Sequence, residues 1–70
     1  MMIKIGDQIL NTDYIVRVYW ILQNGKDRKL QIDTVISSHK ELETDIIFVP
    51  DDCAQEVWDY FLKDAVGFSV

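Results

Sequence analysis

Residues 15–22 form an almost continuous apolar stretch that reads Ile-Val-Arg-Val-Tyr-Trp-Ile-Leu. Successive side chains of a β-strand point to opposite faces, so a strand in this position has two different sides. Both sides are largely apolar, which is typical of a strand that is covered on both faces. The first side carries Val16, Val18, Trp20 and Leu22, and the second carries Ile15, Arg17, Tyr19 and Ile21.

Alternating patterns predict four strands, at about residues 2–5, 14–23, 28–37 and 43–49. In the last of these, Ile46 and Phe48 fall on one face, and Ile47 and Val49 fall on the other.

The connection between the first two strands contains two turn-forming sequences. Gly6-Asp7-Gln8 is typical of a turn, after which Ile9 and Leu10 can resume the pairing. Asn11-Thr12-Asp13 favours a bend or a single helical turn, because short polar side chains form hydrogen bonds with nearby backbone groups.

Asn24-Gly25 indicates a hairpin between the second and third strands. A two-residue loop at this point would place apolar residues opposite polar ones. Since a slip of one residue exchanges the faces of a strand, we expect a three-residue loop over residues 23–25. That loop places Val18 opposite Leu30.

A helix is predicted over about residues 52–66, after Pro50 has ended the last strand. Asp51 or Asp52 is expected to cap its N-terminus, and Asp52 with Gln55 resembles a capping box. Apolar residues recur along one face with helical spacing: Ala54, Val57, Trp58, Phe61, Leu62 and Ala65.

Strands followed by one helix predict an α+β fold. We expect a four-stranded antiparallel meander with one C-terminal α-helix packed on one face, in a single domain spanning residues 1–70. The alternative is a highly twisted sheet that closes toward a partial barrel. The predicted core contains Val16, Val18, Trp20, Leu30, Ile32, Ile36, Trp58 and Phe61.

The small size of the chain favours association with a partner. A domain of 70 residues is marginally stable unless disulfides, metals or oligomerisation add to it. Cys53 is the only cysteine, so the chain forms no internal disulfide and suits a reducing compartment. With no transmembrane-length apolar run and no signal-peptide pattern, we expect a cytoplasmic location and no membrane partner.

The net charge of −5 is concentrated in the second part of the chain. Residues 1–40 carry a net charge of +2, whereas residues 41–70 carry −7. An acidic surface repels phosphates, which argues against nucleic acid as a partner. The acidic helix face is expected to be a solvated surface or a contact for another protein.

Residues suited to catalysis or metal binding are few. His39 is the only histidine, and its pairing with Cys53 as base and nucleophile has no support from neighbouring residues. His39, Glu41 and Glu43 alternate, but their spacing matches no established metal site. We therefore expect no enzyme activity and no cofactor.

Residues 2–18 read Met-Ile-Lys-Ile-Gly-Asp-Gln-Ile-Leu-Asn-Thr-Asp-Tyr-Ile-Val-Arg-Val and precede two strands and an acidic-capped helix. This order resembles small bacterial proteins encoded by short cyanobacterial and phage-type open reading frames. The resemblance covers most of the chain and implies a sheet-plus-helix domain. It implies no functional residue.

The sequence predicts a non-enzymatic interaction module that self-associates through its sheet, most simply as a dimer. The predicted contact consists of residues on the second side of the long strand and its neighbour: Ile15, Arg17, Tyr19, Ile21, Asp33 and Val35. The alternative is an acidic inhibitor or regulator that mimics nucleic-acid charge and blocks a basic site on another protein.

Overall fold

The computed structural model describes residues 1–25, 27–37 and 42–67. Its elements, in chain order, are β1 (Met2–Ile5), β2 (Gln8–Asn11), a 3-10 helix (Thr12–Tyr14), β3 (Ile15–Gln23), β4 (Asp27–Ser37), β5 (Leu42–Phe48) and α1 (Ala54–Leu62).

The strands form two antiparallel sheets. β1 pairs with β2, and β3, β4 and β5 form a second sheet in that order. The predicted α+β class is confirmed, but the single four-stranded meander is wrong. Within the described strands, β3 and β5 each pair with β4 alone, so the sheet is open and does not close into a barrel.

The extra sheet results from a tight turn between β1 and β2. Ile5 pairs with Gln8, which leaves only Gly6 and Asp7 in the turn, and β1 therefore pairs with the segment that follows it rather than with β3. Gly6 has a φ of +57°, a left-handed conformation that favours glycine. A Cβ atom at this position would lie 3.1 Å from Cγ of Pro50, so a larger residue would also crowd the proline.

The 3-10 helix Thr12–Tyr14 redirects the chain from β2 into β3. It lies where the sequence predicts a bend or a single helical turn. The side chain of Asn11 accepts a hydrogen bond from the backbone N–H of Asp13 at 3.1 Å. The backbone N–H of Thr12 donates to the carbonyl of Met1 at 2.8 Å, which ties this turn to the start of β1.

The hairpin between β3 and β4 has the predicted odd number of loop residues. Gln23 pairs with Asp27, so three residues lie between them, and Asn24 and Gly25 both have positive φ. Val18 lies opposite Ile32 instead of Leu30, which displaces the predicted pairing by two residues. Because the displacement is even, the apolar faces of both strands still coincide.

A β-bulge changes the start of β3. Ile15 pairs with Thr34 and Arg17 pairs with Asp33, so Val16 is an additional residue with no counterpart on β4. The bulge turns Ile15 toward the core and leaves Val16 exposed. The predicted faces of these two residues are therefore wrong, because one inserted residue reverses the alternation.

The core lies between the two sheets and α1, and its buried residues are Ile5, Leu30, Ile32, Val49 and Ala54. Four more residues of the predicted core are half-buried and pack against this cluster: Val18, Trp20, Trp58 and Phe61. The rings of Trp20 and Trp58 lie 5.8 Å apart, which joins β3 to the helix. Ile36 lies outside the described side chains.

The helix is shorter than predicted, since α1 begins at Ala54 and ends at Leu62. The carbonyls of Pro50 and Asp51 accept hydrogen bonds from the N–H groups three residues later, which makes a tight turn before the helix. Cys53 is consequently the N-cap and makes no side-chain capping bond, so the predicted caps at Asp51 and Asp52 are wrong.

Candidate functional site

The three-stranded sheet has one face toward the core and an opposite face that we call the outer face. In the strand register, Tyr19 lies beside Gln31, which lies beside Phe48, and the next row contains Arg17, Asp33 and Ile46. Twelve described side chains form the outer face: Arg17, Tyr19, Ile21, Gln23, Asp27, Lys29, Gln31, Asp33, Val35, Thr44, Ile46 and Phe48.

A hydrogen-bonded network around Asp33 occupies the centre of the outer face. Its Oδ2 accepts from Nη2 of Arg17 at 2.8 Å and from Nε of the same side chain at 3.1 Å. Its Oδ1 accepts from the hydroxyl of Tyr19 at 3.1 Å and from Nε2 of Gln31 at 3.3 Å. Gln31 Nε2 also donates to the hydroxyl of Tyr19. Both carboxylate oxygens are thus engaged within the chain.

Burial and charge hold this network in one arrangement. Gln31 is only 7% exposed, and Asp33 and Tyr19 are half-buried. The hydrogen bond from Arg17 is the main cause that holds the pKa of the Asp33 carboxyl below its usual range, and the same pairing raises the pKa of Arg17. The Arg17 guanidinium also lies 4.4 Å from the centre of the Tyr19 ring.

Apolar side chains flank the network. Phe48 is 56% exposed and Ile46 is 53% exposed, and both lie on β5 directly beside Gln31 and Asp33. Ile21 and Val35 are half-buried toward the two ends of the face. The outer face therefore combines a fixed polar centre with accessible apolar surface.

The structure brings five of the six sequence-predicted contact residues together on the outer face: Arg17, Tyr19, Ile21, Asp33 and Val35. Ile15 lies on the opposite side because of the bulge. The sequence prediction did not include Ile46 and Phe48, although their alternation with Ile47 and Val49 was the signal that could have found them. Only the pairing of β5 with β4 places these two residues beside the network.

Two of the charged side chains on the outer face, Arg17 and Lys29, are paired within the chain, and Asp27 adds an exposed carboxylate at the hairpin end. Arg17 pairs with Asp33, and Lys29 pairs with Asp51 at the end of the sheet. By contrast, α1 carries the exposed acidic residues Glu56 and Asp59. In a chain of net charge −5, the centre of the outer face is therefore locally neutral.

A concavity of about 400 Å³ lies between β2, the 3-10 helix and the second sheet, and Asn11, Tyr14, Thr34 and Asp45 are its polar lining residues. Three of these groups have partners in the chain. Asn11 accepts from the N–H of Asp13, Thr34 donates to the carbonyl of Asp45, and Asp45 Oδ1 accepts from the N–H of Ile46.

Of the remaining candidate residues for chemistry, the structure describes Cys53 and Glu43. Cys53 is half-buried, packs against the core, and its thiol donates to the carbonyl of Pro50 at 3.6 Å. His39 and Glu41 lie outside the described residues, and Glu43 is exposed. Within residues 1–25, 27–37 and 42–67, no group of three potential ligands is placed to hold a metal ion.

No helix in the described part of the chain has the length and apolar character needed to cross a membrane. Comparison with protein-family models, with curated proteins and with solved structures gave no match to this chain.

Proposed function

We propose that this chain is a non-enzymatic protein–protein interaction module that self-associates through its sheet, with the outer face as the contact between copies. The observation that carries the proposal is that one surface combines exposed apolar side chains with a central ion pair that is already formed within the chain. A dimer is the simplest assembly, because a two-fold contact uses the same surface of both copies. A cytoplasmic location fits a chain whose single cysteine forms no internal disulfide.

Charge favours a second copy as the occupant of this face. Two chains of net charge −5 repel each other, and the repulsion is smallest where each surface is locally neutral. The Arg17–Asp33 pair provides such neutrality at the centre of the outer face. The helix surface, with exposed Glu56 and Asp59, would instead bring like charges together in a contact between two copies.

The network gives the proposed contact its geometry. Tyr19 is held by hydrogen bonds to Asp33 and Gln31, so its ring loses little conformational freedom when a partner covers it. Tyrosine and arginine are enriched at the energetically important positions of protein interfaces. In the proposed dimer, Phe48 and Ile46 supply apolar contact area beside this ordered centre.

The test compares Ile46→Lys on the outer face with Leu62→Lys on α1, since the two side chains are 53% and 52% exposed. Native mass is measured by analytical ultracentrifugation between about 1 µM and about 1 mM, a range that covers weak and moderate dimers. We expect the wild type and Leu62→Lys to dimerise and Ile46→Lys to stay monomeric. A wild-type chain that remains monomeric throughout would refute the proposal.

The second candidate function is an acidic inhibitor that binds a basic site on another protein. The exposed carboxylates of Asp52, Glu56 and Asp59, on or next to α1, favour it. Binding through these groups would weaken strongly as salt is raised. Replacing Glu56 and Asp59 with Gln and Asn would reduce such binding, whereas Ile46→Lys would leave it unchanged.

A further inference from the structure

We propose that the edge of β3 that no described strand covers, together with the groove beside it, binds an extended, basic segment of another polypeptide by strand addition. This site is separate from the outer face and does not depend on self-association. Three features carry the proposal: the direction of the β3 backbone groups, the apolar groove between β3 and α1, and the acidic helix side of that groove.

The first feature follows from the hydrogen-bond pattern of the sheet. The N–H of Val49 donates to the carbonyl of Leu30 at 3.0 Å, so even-numbered residues of β4 bond to β5. Odd-numbered residues of β4 then bond to their partners on β3, which include Tyr19 opposite Gln31. The backbone groups of β3 that point away from β4 belong to Val18, Trp20 and Leu22. We call these groups the β3 edge.

The second feature is an apolar groove of about 190 Å³ between β3 and α1. Val18 forms its strand side, and the helix side consists of Trp58, Phe61, Leu62 and Ala65. In a strand added to β3, every second side chain would point toward α1. The groove offers such a side chain an apolar site directly beside the backbone groups that would hold the strand, which is the arrangement used in β-strand addition.

The opposite edge of the sheet is protected, which makes the β3 edge the favoured one. On β5 the N–H of Ile46 is occupied by the side chain of Asp45 at 3.0 Å, and Glu43 adds a second negative charge to that strand. Charged side chains and blocked N–H groups are common devices against unwanted strand pairing. The regular part of β3, beyond the bulge at Val16, carries Arg17 as its one charged residue, and Asp33 already pairs with it.

Charge determines the partner. Asp59 is exposed on α1 and lies three residues before Leu62, which makes the two side chains neighbours along the helix surface. On the strand side, the Arg28 guanidinium lies 4.6 Å from the centre of the Trp20 ring. On the helix side, α1 carries Glu56 and Asp59 and no basic residue, so this side favours a segment with net positive charge. A second copy pairing through β3 would bring two acidic helices together, because α1 lies beside this edge in each copy. The occupant is therefore a basic segment of a different protein, with apolar residues at alternate positions.

The probe is an end-capped synthetic peptide, Lys-Val-Thr-Leu-Thr-Val-Lys, compared with a peptide in which both Lys are replaced by Glu. Tryptophan fluorescence reports binding, because Trp58 lines the groove and Trp20 lies on β3, whereas the peptide contains no tryptophan. We expect saturable binding of the Lys peptide and binding at least about tenfold weaker for the Glu peptide.

Two proline variants separate the two edges. Leu22→Pro removes an N–H that points away from β4, and its exposed side chain contributes little packing. Thr44→Pro is the matched control on β5, where the N–H also points away from β4 and the side chain is exposed. We expect Leu22→Pro to weaken binding of the Lys peptide at least about tenfold and Thr44→Pro to bind like the wild type.

Further variants keep the test decisive. If Leu22→Pro fails to fold, Ala65→Phe fills the groove from an exposed position and should abolish binding of the Lys peptide. Ile46→Lys on the outer face should bind it normally, which separates this site from the proposed dimer contact. Unchanged binding in Leu22→Pro, or no saturable binding by the wild type, would overturn the proposal.

Amide hydrogen exchange identifies a competing occupant. We expect the N–H groups of Val18, Trp20 and Leu22 to become protected when the Lys peptide is added. If they become protected as the protein concentration is raised without peptide, a second copy occupies the edge and the proposal is wrong.

Discussion

The two faces of β4 differ in chemistry although they alternate residue by residue along one strand. Leu30 and Ile32 are fully buried against α1 and the β1–β2 hairpin. Gln31 and Asp33, the residues that alternate with them, belong to the polar network of the outer face. The inner face is buried by the chain itself, whereas the outer face keeps exposed apolar residues at its border.

This difference separates stability from recognition. Burial of apolar side chains dominates the free energy of folding, so inner-face residues should control the stability of the chain. Hydrogen bonds between polar side chains contribute less net free energy but fix the orientation of the groups that they join. Outer-face residues should therefore control association more than folding, and substitutions on the two faces should have different effects.

The largest expected effect is that of Leu30→Ala. Leu30 is completely buried, so its truncation should lower the free energy of unfolding by about 3–5 kcal/mol through lost burial and a cavity. Lys29→Ala, next to it on the outer face, should cost about 1 kcal/mol or less, because its exposed ion pair with Asp51 contributes little. Urea unfolding followed by circular dichroism measures both values. Equal losses would show that the two faces do not differ as described.

Trp58→Ala tests the contact between the inner face and the helix. Trp58 is half-buried and packs against Trp20, so we expect a loss of about 3 kcal/mol, the low end of the range for large aromatic residues. Tyr60→Ala, an exposed aromatic on the same helix, is the control and should cost much less. Thermal melts monitored by circular dichroism distinguish them. A melt of Trp58→Ala close to that of the wild type would place Trp58 outside the core.

Ile15→Ala and Val16→Ala test the bulge that exchanges the faces at the start of β3. Ile15 packs against the core, so its truncation should lower the free energy of unfolding by about 2 kcal/mol. Truncation of the exposed Val16 should lower it by about 0.5 kcal/mol or less. Chemical unfolding measures the difference. Uninterrupted alternation along β3 would produce the reverse order.

Asp33→Asn tests the centre of the outer face through its pH dependence. Because the pKa of Asp33 is lowered in the folded chain, its contribution to stability is complete above the unfolded pKa of about 3.9 and is lost as the pH falls through the lower, folded pKa. The stability difference between wild type and Asp33→Asn should therefore shrink below about pH 4. Asp7→Asn, in the exposed β1–β2 turn, controls for the loss of one negative charge. A difference that is constant with pH would contradict the Arg17–Asp33 pairing.

Much of the second sheet was predictable because it depends on local sequence. The alternation around Leu30 and Ile32 indicated which face of β4 is buried, and Asn24-Gly25 indicated the hairpin. The odd number of loop residues followed from matching the apolar faces of the two strands. A shift of the register by one residue would have turned the core side chains toward water. An even displacement leaves the same faces buried, which explains why the predicted register was wrong by two residues.

The predicted placement of residues on one face of the sheet was correct where regular alternation holds. Arg17, Tyr19 and Asp33 share the outer face because the strands remain in phase between them. Ile15 was assigned to the wrong face of the sheet. Both faces of β3 are largely apolar, so the sequence pattern does not reveal a single inserted residue. Phe48 lies on the outer face because β5 pairs with β4 and places Phe48 beside Gln31.

The sequence by itself determined the order of strands and helix, the turn residues and the alternation of apolar positions, because these depend on backbone preferences and on neighbours close in the chain. Tertiary structure decided the partner of β1, the bulge at Val16, the late start of α1 and the direction of the β3 edge. The bulge and the direction of the β3 edge depend on pairing between strands. The β1–β2 turn and the turn before α1 are local arrangements that the sequence pattern did not single out. Several local arrangements satisfy the same pattern, and burial against Leu30, Ile32 and Val49 selects one of them.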